Sequence, residues 1–197
     1  MRRRDDNGGV TRIVAGTAGG RRLGVPAKGT RPTSDRVREA LFSALESSVG
    51  LDGARVLDLY AGSGALGLEA LSRGAALATL VEHHRDAVGV LRRNAAAVGL
   101  PGADVRHGKV ATVLAERPQA PYDVVFADPP YALADAELGA ALAALVEHGW
   151  TAPGSTVVVE RAARAGEPGW PAELVPLRSR RYGDTELFWA SHQGPVG

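Results

Sequence analysis

The chain of 197 residues is 45% hydrophobic and 23% charged, which suits one well-buried domain with a small appendage. It has no apolar stretch of membrane-spanning length and no hydrophobic segment near the N-terminus, so we expect a cytoplasmic protein without a signal peptide. The absence of cysteine excludes disulfides, thiolate metal sites and thiol nucleophiles.

The formal net charge of +1 hides an asymmetry along the sequence. Residues 1–40 contain ten basic and four acidic residues, whereas residues 41–177 contain ten basic and sixteen acidic ones. A basic arm on an acidic body is typical of a protein that docks a polyanion. We therefore expect an N-terminal extension, residues 1–48, that binds nucleic acid, and a main domain over residues 49–197.

The extension is predicted to hold a β-hairpin followed by a helix. Residues 12–16 and 21–25 resemble short strands joined by the Gly-rich turn 17–20. Thr33 or Ser34 is then a suitable N-cap for a helix whose apolar residues recur at helical spacing. Several basic side chains lie near the start of that helix, where the N-terminus also attracts phosphate. The candidate nucleic-acid contacts are Arg12, Arg21, Arg22, Arg31, Thr33, Arg36 and Arg38.

From residue 54 onward, strand-like and helical segments alternate, which predicts a parallel sheet covered by helices. Two last segments, 174–181 and 185–190, flank Tyr182-Gly183-Asp184 and indicate an antiparallel hairpin at the sheet edge. The expected fold is α/β and Rossmann-like, with seven mostly parallel strands. The other predicted strands are 54–60, 76–82, 103–107, 122–127 and 155–160, and the helices are 65–73, 84–97, 110–117 and 136–147.

A Gly-rich turn follows the first of these strands. Its glycines are spaced G-x-G-x-x-G, and Glu82 follows the first glycine by 20 residues, which also fits a fold that binds NAD. Asp58 favours S-adenosylmethionine instead, because a carboxylate suits an ammonium and a sulfonium but gains nothing beside a pyrophosphate. Glu82 suits the ribose hydroxyls of either ligand. The candidate cofactor-binding residues are Asp58, Tyr60, Ala61, Gly62, Ser63, Gly64 and Glu82.

The second motif, Asp128-Pro129-Pro130-Tyr131, follows the apolar segment 124–127. Two prolines hold the backbone extended, so that a carboxylate and a main-chain carbonyl can accept hydrogen bonds from an amino group. The tyrosine ring suits stacking on a flat base. These four residues are the catalytic candidates for methylation of an exocyclic amine by direct in-line displacement. Methylation at a pyrimidine ring carbon generally needs a covalent cysteine adduct, which this chain cannot form.

Both motifs and Glu82 stand at the carboxyl ends of predicted parallel strands. Ligands bind at that edge of an open α/β sheet. We therefore expect one cleft to hold all three, although Asp58 and Asp128 are 70 residues apart in sequence.

Taken together, these motifs resemble the RsmD family of methyltransferases over nearly the whole chain. The resemblance implies a class I S-adenosylmethionine-dependent enzyme that methylates N2 of the guanine conventionally numbered 966 in 16S rRNA, already assembled in a 30S particle. One departure is His107-Gly108-Lys109-Val110, where relatives usually have an acid near the donor adenine. The shared segments are 12–16, 20–23, 31–42, 58–64, 81–82, 128–131 and 182–185.

Other functions use similar motifs. DNA adenine and protein glutamine methyltransferases have comparable D/N-P-P-Y loops, and an NAD-dependent oxidoreductase or an inactive RNA-binding module would share the fold. The histidines are scattered without metal-ligand spacing, so we expect no metal. We also expect a monomer.

Overall fold

A computed structural model of the protein describes residues 9–27 and 34–194. The N-terminal extension contains β1 (Val10–Arg12), β2 (Arg22–Gly24) and α1 (Asp35–Ser48), and β1 pairs with β2 in an antiparallel hairpin. The predicted hairpin and helix are confirmed, but the first strand is shorter and earlier than residues 12–16. At Gly16 the backbone has φ +82° and lies against α2 (Ala65–Ser72). A Cβ at this position would lie 1.9 Å from the Ser72 carbonyl oxygen, so only glycine fits there.

Among the described residues the main sheet has seven strands, and all are parallel except β9, which runs antiparallel to its neighbours β7 and β8. Its order is β5-β4-β3-β6-β7-β9-β8, which confirms the predicted sheet and its C-terminal edge hairpin. The helices that connect its parallel strands are α2, α3 (Arg85–Val98), α4 (Val110–Leu114) and α5 (Asp135–Glu147). The strands are β3 (Arg55–Leu59), β4 (Leu77–Glu82), β5 (Ala103–His107), β6 (Val124–Ala127), β7 (Thr156–Ala162), β8 (Leu174–Tyr182) and β9 (Thr185–His192).

Alternate residues of the central strands enter two apolar clusters, one on each face of the sheet. Helices α1, α2 and α3 contribute to one cluster, and α4 and α5 contribute to the other. Side chains of the extension belong to the first cluster, where the rings of Phe42 and Phe126 lie 5.6 Å apart in an edge-to-face contact. The extension therefore shares its core with the sheet, and a domain boundary at residue 48 stays a prediction.

Polar contacts also fasten the extension to α2. The buried Glu69 carboxylate accepts hydrogen bonds from the backbone N–H groups of Val14 (2.7 Å) and Ala15 (3.0 Å). The Ser72 hydroxyl accepts from the Ala18 N–H and donates to the Ala15 carbonyl. Buried polar groups that are paired in this way fix the geometry of an apolar contact. No helix in the described segments is long and apolar enough to cross a membrane.

Candidate active site

Four neighbouring strands bring their carboxyl-end residues to one level. In the parallel register, the last residues before the cleft lie side by side on β4, β3, β6 and β7. Neighbouring strands lie about 4.8 Å apart, and the order of connections reverses between β3 and β6, which is where α/β sheets bind ligands. The residues that follow, in strand order, are Glu82, Tyr60, Asp128 and Glu160.

The predicted Gly-rich turn connects β3 to α2 and is held by hydrogen bonds. The Gly64 N–H donates to the Ala61 carbonyl at 2.7 Å, and the Gly62 N–H donates to the Glu82 carboxylate at 3.0 Å. Tyr60, at the start of the turn, has φ +62°, an uncommon value for a non-glycine residue that persists only where the surroundings impose it. Hydrogen bonds within the protein therefore hold the turn in this conformation.

Two glycines of this turn serve different purposes. A Cβ at Gly64, where φ is +81°, would lie 2.3 Å from Leu91 Cδ1, so packing against α3 requires glycine. A Cβ at Gly62, where φ is +55°, would meet only the Tyr60 carbonyl oxygen, at 4.0 Å. Gly62 thus borders open space, which a ligand can approach.

Glu82 is aimed by the backbone around it. One carboxylate oxygen accepts from the N–H groups of His83 and His84, both at 2.8 Å, and the other accepts from Gly62. The residue is 6% exposed. A carboxylate has about four acceptor positions, so these three bonds leave capacity for a hydroxyl.

Asp58 lies beneath the turn and is 1% exposed. Its carboxyl accepts the Gly67 N–H at 2.9 Å. Burial raises the pKa of Asp58 to about 7; the Gly67 hydrogen bond opposes this rise and the charge of Glu82 adds to it. The group is therefore poised between its neutral and charged forms near neutral pH, and a bound cation would favour the charged form.

The Asp128-Pro129-Pro130-Tyr131 loop is held more loosely. The Asp128 N–H lies 3.5 Å from the Leu59 carbonyl oxygen, the Pro130 carbonyl accepts from Leu133 at 2.8 Å, and the Tyr131 side chain is 61% exposed. Asp128 is half-buried, and the loss of water around its carboxyl raises its pKa well above the usual range. The negative charge of Glu160 and, to a smaller extent, that of Asp58 raise it further. The structure brings this loop beside the Gly-rich turn and Glu82, as the sequence predicts.

Two further residues of the site, Glu160 and Asn94, are not predicted from the sequence. Glu160, in β7, lines the same cavity as Pro129, Pro130 and Tyr131. The buried Asn94 amide donates to the Ser63 and Gly24 carbonyls, both at 2.8 Å, and so joins the Gly-rich turn to β2 of the extension. The available signal for Asn94 is its helical spacing on the apolar face of α3.

Most predicted nucleic-acid residues of the extension lie at the surface. Arg12 is exposed and pairs with Asp35 at 2.7 Å, while Arg21 donates to the C-terminal carbonyls of α3. Arg22 and Arg36 are exposed. The two remaining candidates besides Arg38, namely Arg31 and Thr33, lie outside the described residues.

Arg38 is a correction to the predicted set. Its side chain is buried and donates to Asp35 at 2.6 Å and to the Thr11 hydroxyl at 2.9 Å. A buried guanidinium cannot reach a phosphate, so the structure argues against the predicted contact. The cap of the same helix is Ser34, whose hydroxyl accepts the Val37 N–H at 3.3 Å.

The segment that departs from the family pattern contributes an exposed lysine and no acid. Lys109 precedes α4 as its N-cap, and the Gly108 N–H donates to the Glu82 carbonyl at 3.0 Å. Within residues 9–27 and 34–194, no group of three or more His, Asp or Glu is arranged to hold a metal ion.

Comparisons with known proteins agree with this geometry. A family model described as conserved hypothetical protein 95 matches residues 11–190. Ribosomal RNA small subunit methyltransferase D from Escherichia coli (strain K12) is 41% identical over 189 residues, covering 94% of this chain and 93% of the relative. The protein of the same name from Haemophilus influenzae is 37% identical over 77% of this chain and 79% of its own length. A solved structure of a putative methyltransferase from E. coli superposes with a TM-score of 0.84 at 36% identity, covering 94% of this chain and 99% of the other.

Proposed function

Because this chain belongs to the conserved hypothetical protein 95 family of RsmD-like methyltransferases, we propose that it methylates the N2 amine of a guanine in 16S rRNA of the small ribosomal subunit. The observation that carries the proposal is the position of the Asp128 loop, level with the Gly-rich turn and Glu82 across adjacent strands. The similarity to the E. coli ribosomal RNA small subunit methyltransferase supports an RNA acceptor over DNA or protein. Position 966 is the guanine that the family resemblance implies.

The residues of the Gly-rich turn fit S-adenosylmethionine as the methyl donor. When bound, this cofactor supplies a methyl group carried on a positively charged sulfur. Gly62 leaves open space for it, Asp58 provides a carboxylate for its cationic end, and Glu82 is aimed to accept hydrogen bonds from ribose hydroxyls. Tyr60, Ala61, Ser63 and Gly64 complete the turn.

The Asp128 loop is suited to an amine. The Asp128 carboxylate and the Pro129 carbonyl would accept hydrogen bonds from the two N2 hydrogens, which directs the nitrogen lone pair toward the methyl group. The raised pKa of Asp128 also makes its carboxylate a better proton acceptor than an ordinary aspartate. The exposed Tyr131 ring would stack on a guanine that has left its loop, because a paired base could not present N2.

The extension would dock the RNA. Arg12, Arg22 and Arg36 are exposed on it, and Arg31 and Thr33 remain candidates by their sequence position.

We further propose that the substrate is the assembled 30S particle, that the enzyme acts as a monomer and that it works in the cytoplasm. No metal is needed for a direct displacement.

Binding and acceptor assays test this function. Calorimetry should detect binding of S-adenosylmethionine and none of NAD, because the site has a carboxylate where a dinucleotide fold approaches a pyrophosphate. Labelled methyl groups should then pass to small subunits from cells lacking this protein, and not to DNA or to protein. Binding of NAD alone would support an oxidoreductase, and binding of neither ligand would support an inactive RNA-binding module.

A further inference from the structure

A groove of about 640 Å³ opens directly beside the catalytic loop. We call it the hairpin groove, because the tip of the β8–β9 hairpin forms one of its walls. It shares the side chain of Tyr131 with the catalytic loop, so a chain lying in it would be continuous with the base site. The residues that matter for its chemistry are Tyr131, Glu160, Arg164, Arg181, Tyr182 and Asp184.

The hairpin that forms this wall is strongly basic on one strand. Strand β8 carries three exposed arginines, Arg178, Arg180 and Arg181, and no acid over its nine residues. A further exposed arginine, Arg164, lies on the short 3₁₀ turn after β7, and no ion pair joins it to any residue of the described segments. The acids of the groove are Glu160 in its wall and Asp184 at the hairpin tip. These two acids equal Arg164 and Arg181 in number, so the excess positive charge that attracts a polyanion lies beside the groove, on the other arginines of β8.

The groove also has the aromatic and hydrogen-bonding groups that suit nucleotides. Tyr131 and Tyr182 both line it, and the Arg180 guanidinium lies 5.4 Å from the Tyr182 ring centroid. The Arg181 Nε donates to the Gly183 carbonyl at 2.8 Å, which leaves its terminal amino groups for another acceptor. A volume of about 640 Å³ falls within the range of about 300–1,000 Å³ for ligand pockets. Single-stranded nucleic acid binds where aromatic rings and basic side chains alternate in this way.

We propose that the hairpin groove binds the single-stranded RNA that flanks the target guanine, with Arg164 and Arg181 contacting its phosphates. The inference rests on the proposed function and adds a second RNA-binding surface on the side of the site opposite the Gly-rich turn. It also gives a role to the Tyr182-Gly183-Asp184-Thr185 segment, which neither the donor turn nor the catalytic loop explains. The extension docks the particle, and the hairpin groove holds the strand on which chemistry occurs.

The test compares the double variant Arg164→Gln/Arg181→Gln with the single variant Arg117→Gln. Arg117 is exposed and follows α4 at the opposite end of the sheet, so it controls for loss of a surface arginine. Steady-state methyl transfer to small subunits is measured at several salt concentrations, together with the dissociation constant for S-adenosylmethionine and the melting temperature. Binding to extracted 16S rRNA is measured alongside.

The proposal predicts that the double variant raises KM for small subunits at least about tenfold, with kcat and donor affinity retained. The slope of log affinity against log salt should fall by about 0.7 for each phosphate that an arginine no longer neutralises, and affinity for extracted rRNA should fall in parallel. A double variant that matches Arg117→Gln in KM and salt slope would overturn the proposal. A weakening confined to assembled subunits would also overturn it, in favour of a ribosomal-protein contact. If wild type methylates no RNA at all, the proposed function itself has failed.

Discussion

The proposed donor side and the proposed acceptor side of the cleft are built differently, although both stand at the ends of adjacent strands. On the donor side, Gly64 is packed against Leu91, and hydrogen bonds join the turn to Glu82 and Asn94. On the acceptor side, the proline loop makes few hydrogen bonds and presents Tyr131 to solvent. The Gly-rich turn is thus fixed by packing and hydrogen bonds, as suits the proposed donor, a ligand of constant shape. The acceptor loop is open, as suits a base that must leave an RNA structure to reach it.

Charge divides the two sides as well. Asp58 is enclosed and satisfied by a backbone N–H, whereas Asp128 shares its side of the cleft with Glu160. Burial is the main cause of the raised pKa of both carboxyls, and a neighbouring acid adds to it in each case, Glu82 for Asp58 and Glu160 for Asp128. A cationic ligand should therefore favour the ionised form of Asp58, while removal of the Glu160 charge should lower the pKa of Asp128.

The largest expected effect is on the stability of an Asp58→Asn variant. An acid whose pKa is higher in the folded state binds its proton more tightly there than in the unfolded chain, so wild type loses stability as pH rises from about 4 through about 7. The difference between the ordinary pKa of 3.8 and the folded-state pKa of about 7 corresponds to about 4 kcal/mol of folding free energy. Asparagine cannot ionise and still accepts the Gly67 N–H.

Urea unfolding without donor, across a pH series, measures this effect. The variant should gain stability relative to wild type between pH 4 and pH 8, and it should bind S-adenosylmethionine more weakly. If the free energy of unfolding depends on pH in the same way in the two proteins, burial does not raise the pKa of Asp58.

An Asp128→Ala variant breaks the acceptor side alone. Turnover should fall about 100- to 1000-fold, because acceptors for the N2 hydrogens act in the transition state. The dissociation constant for S-adenosylmethionine, measured by calorimetry, should change little. Donor binding that disappears together with activity would contradict the division between the two sides.

A pair of glycine variants sharpens the account of the donor turn. Gly64→Ala forces a methyl group within 2.3 Å of Leu91 and should cost about 1–3 kcal/mol of folding stability beyond the backbone strain. Gly62→Ala has space and should cost only about 1 kcal/mol of strain, yet should weaken donor binding. Thermal unfolding and donor calorimetry separate the two effects. Equal melting temperatures for the two variants would refute the packing role of Gly64.

The smallest expected effect is that of Glu160→Gln. Removing the Glu160 charge favours the ionised form of Asp128 and lowers its pKa, so the rising limb of activity against pH should move to lower pH. The measurement is kcat/KM for RNA across pH at saturating donor, with melting curves as a control for folding. If the rising limb of the pH profile does not move, the charge of Glu160 does not influence the ionisation of Asp128.

The sequence was sufficient for the strand alternation, the edge hairpin and the meeting of the Gly-rich turn, Glu82 and the Asp128 loop, because carboxyl ends of parallel strands share one edge. It was not sufficient for Glu160 or Asn94, whose importance depends on register and on contacts with distant segments. The prediction that Arg38 contacts nucleic acid was wrong, because it rested on the charge of the residue and not on its place in the helix. Arg38 stands three and seven residues before Leu41 and Leu45, on the apolar face of α1.

The measurement that tests the central claim most directly is mass spectrometry of 16S rRNA nucleosides after small subunits from cells lacking this protein react with purified enzyme and S-adenosylmethionine. We predict N2-methylguanosine at one site, at the guanine numbered 966, and its formation about 100- to 1000-fold more slowly with Asp128→Ala. A methyl group on another nucleoside, or no RNA methylation by an enzyme that binds the donor, would contradict the account.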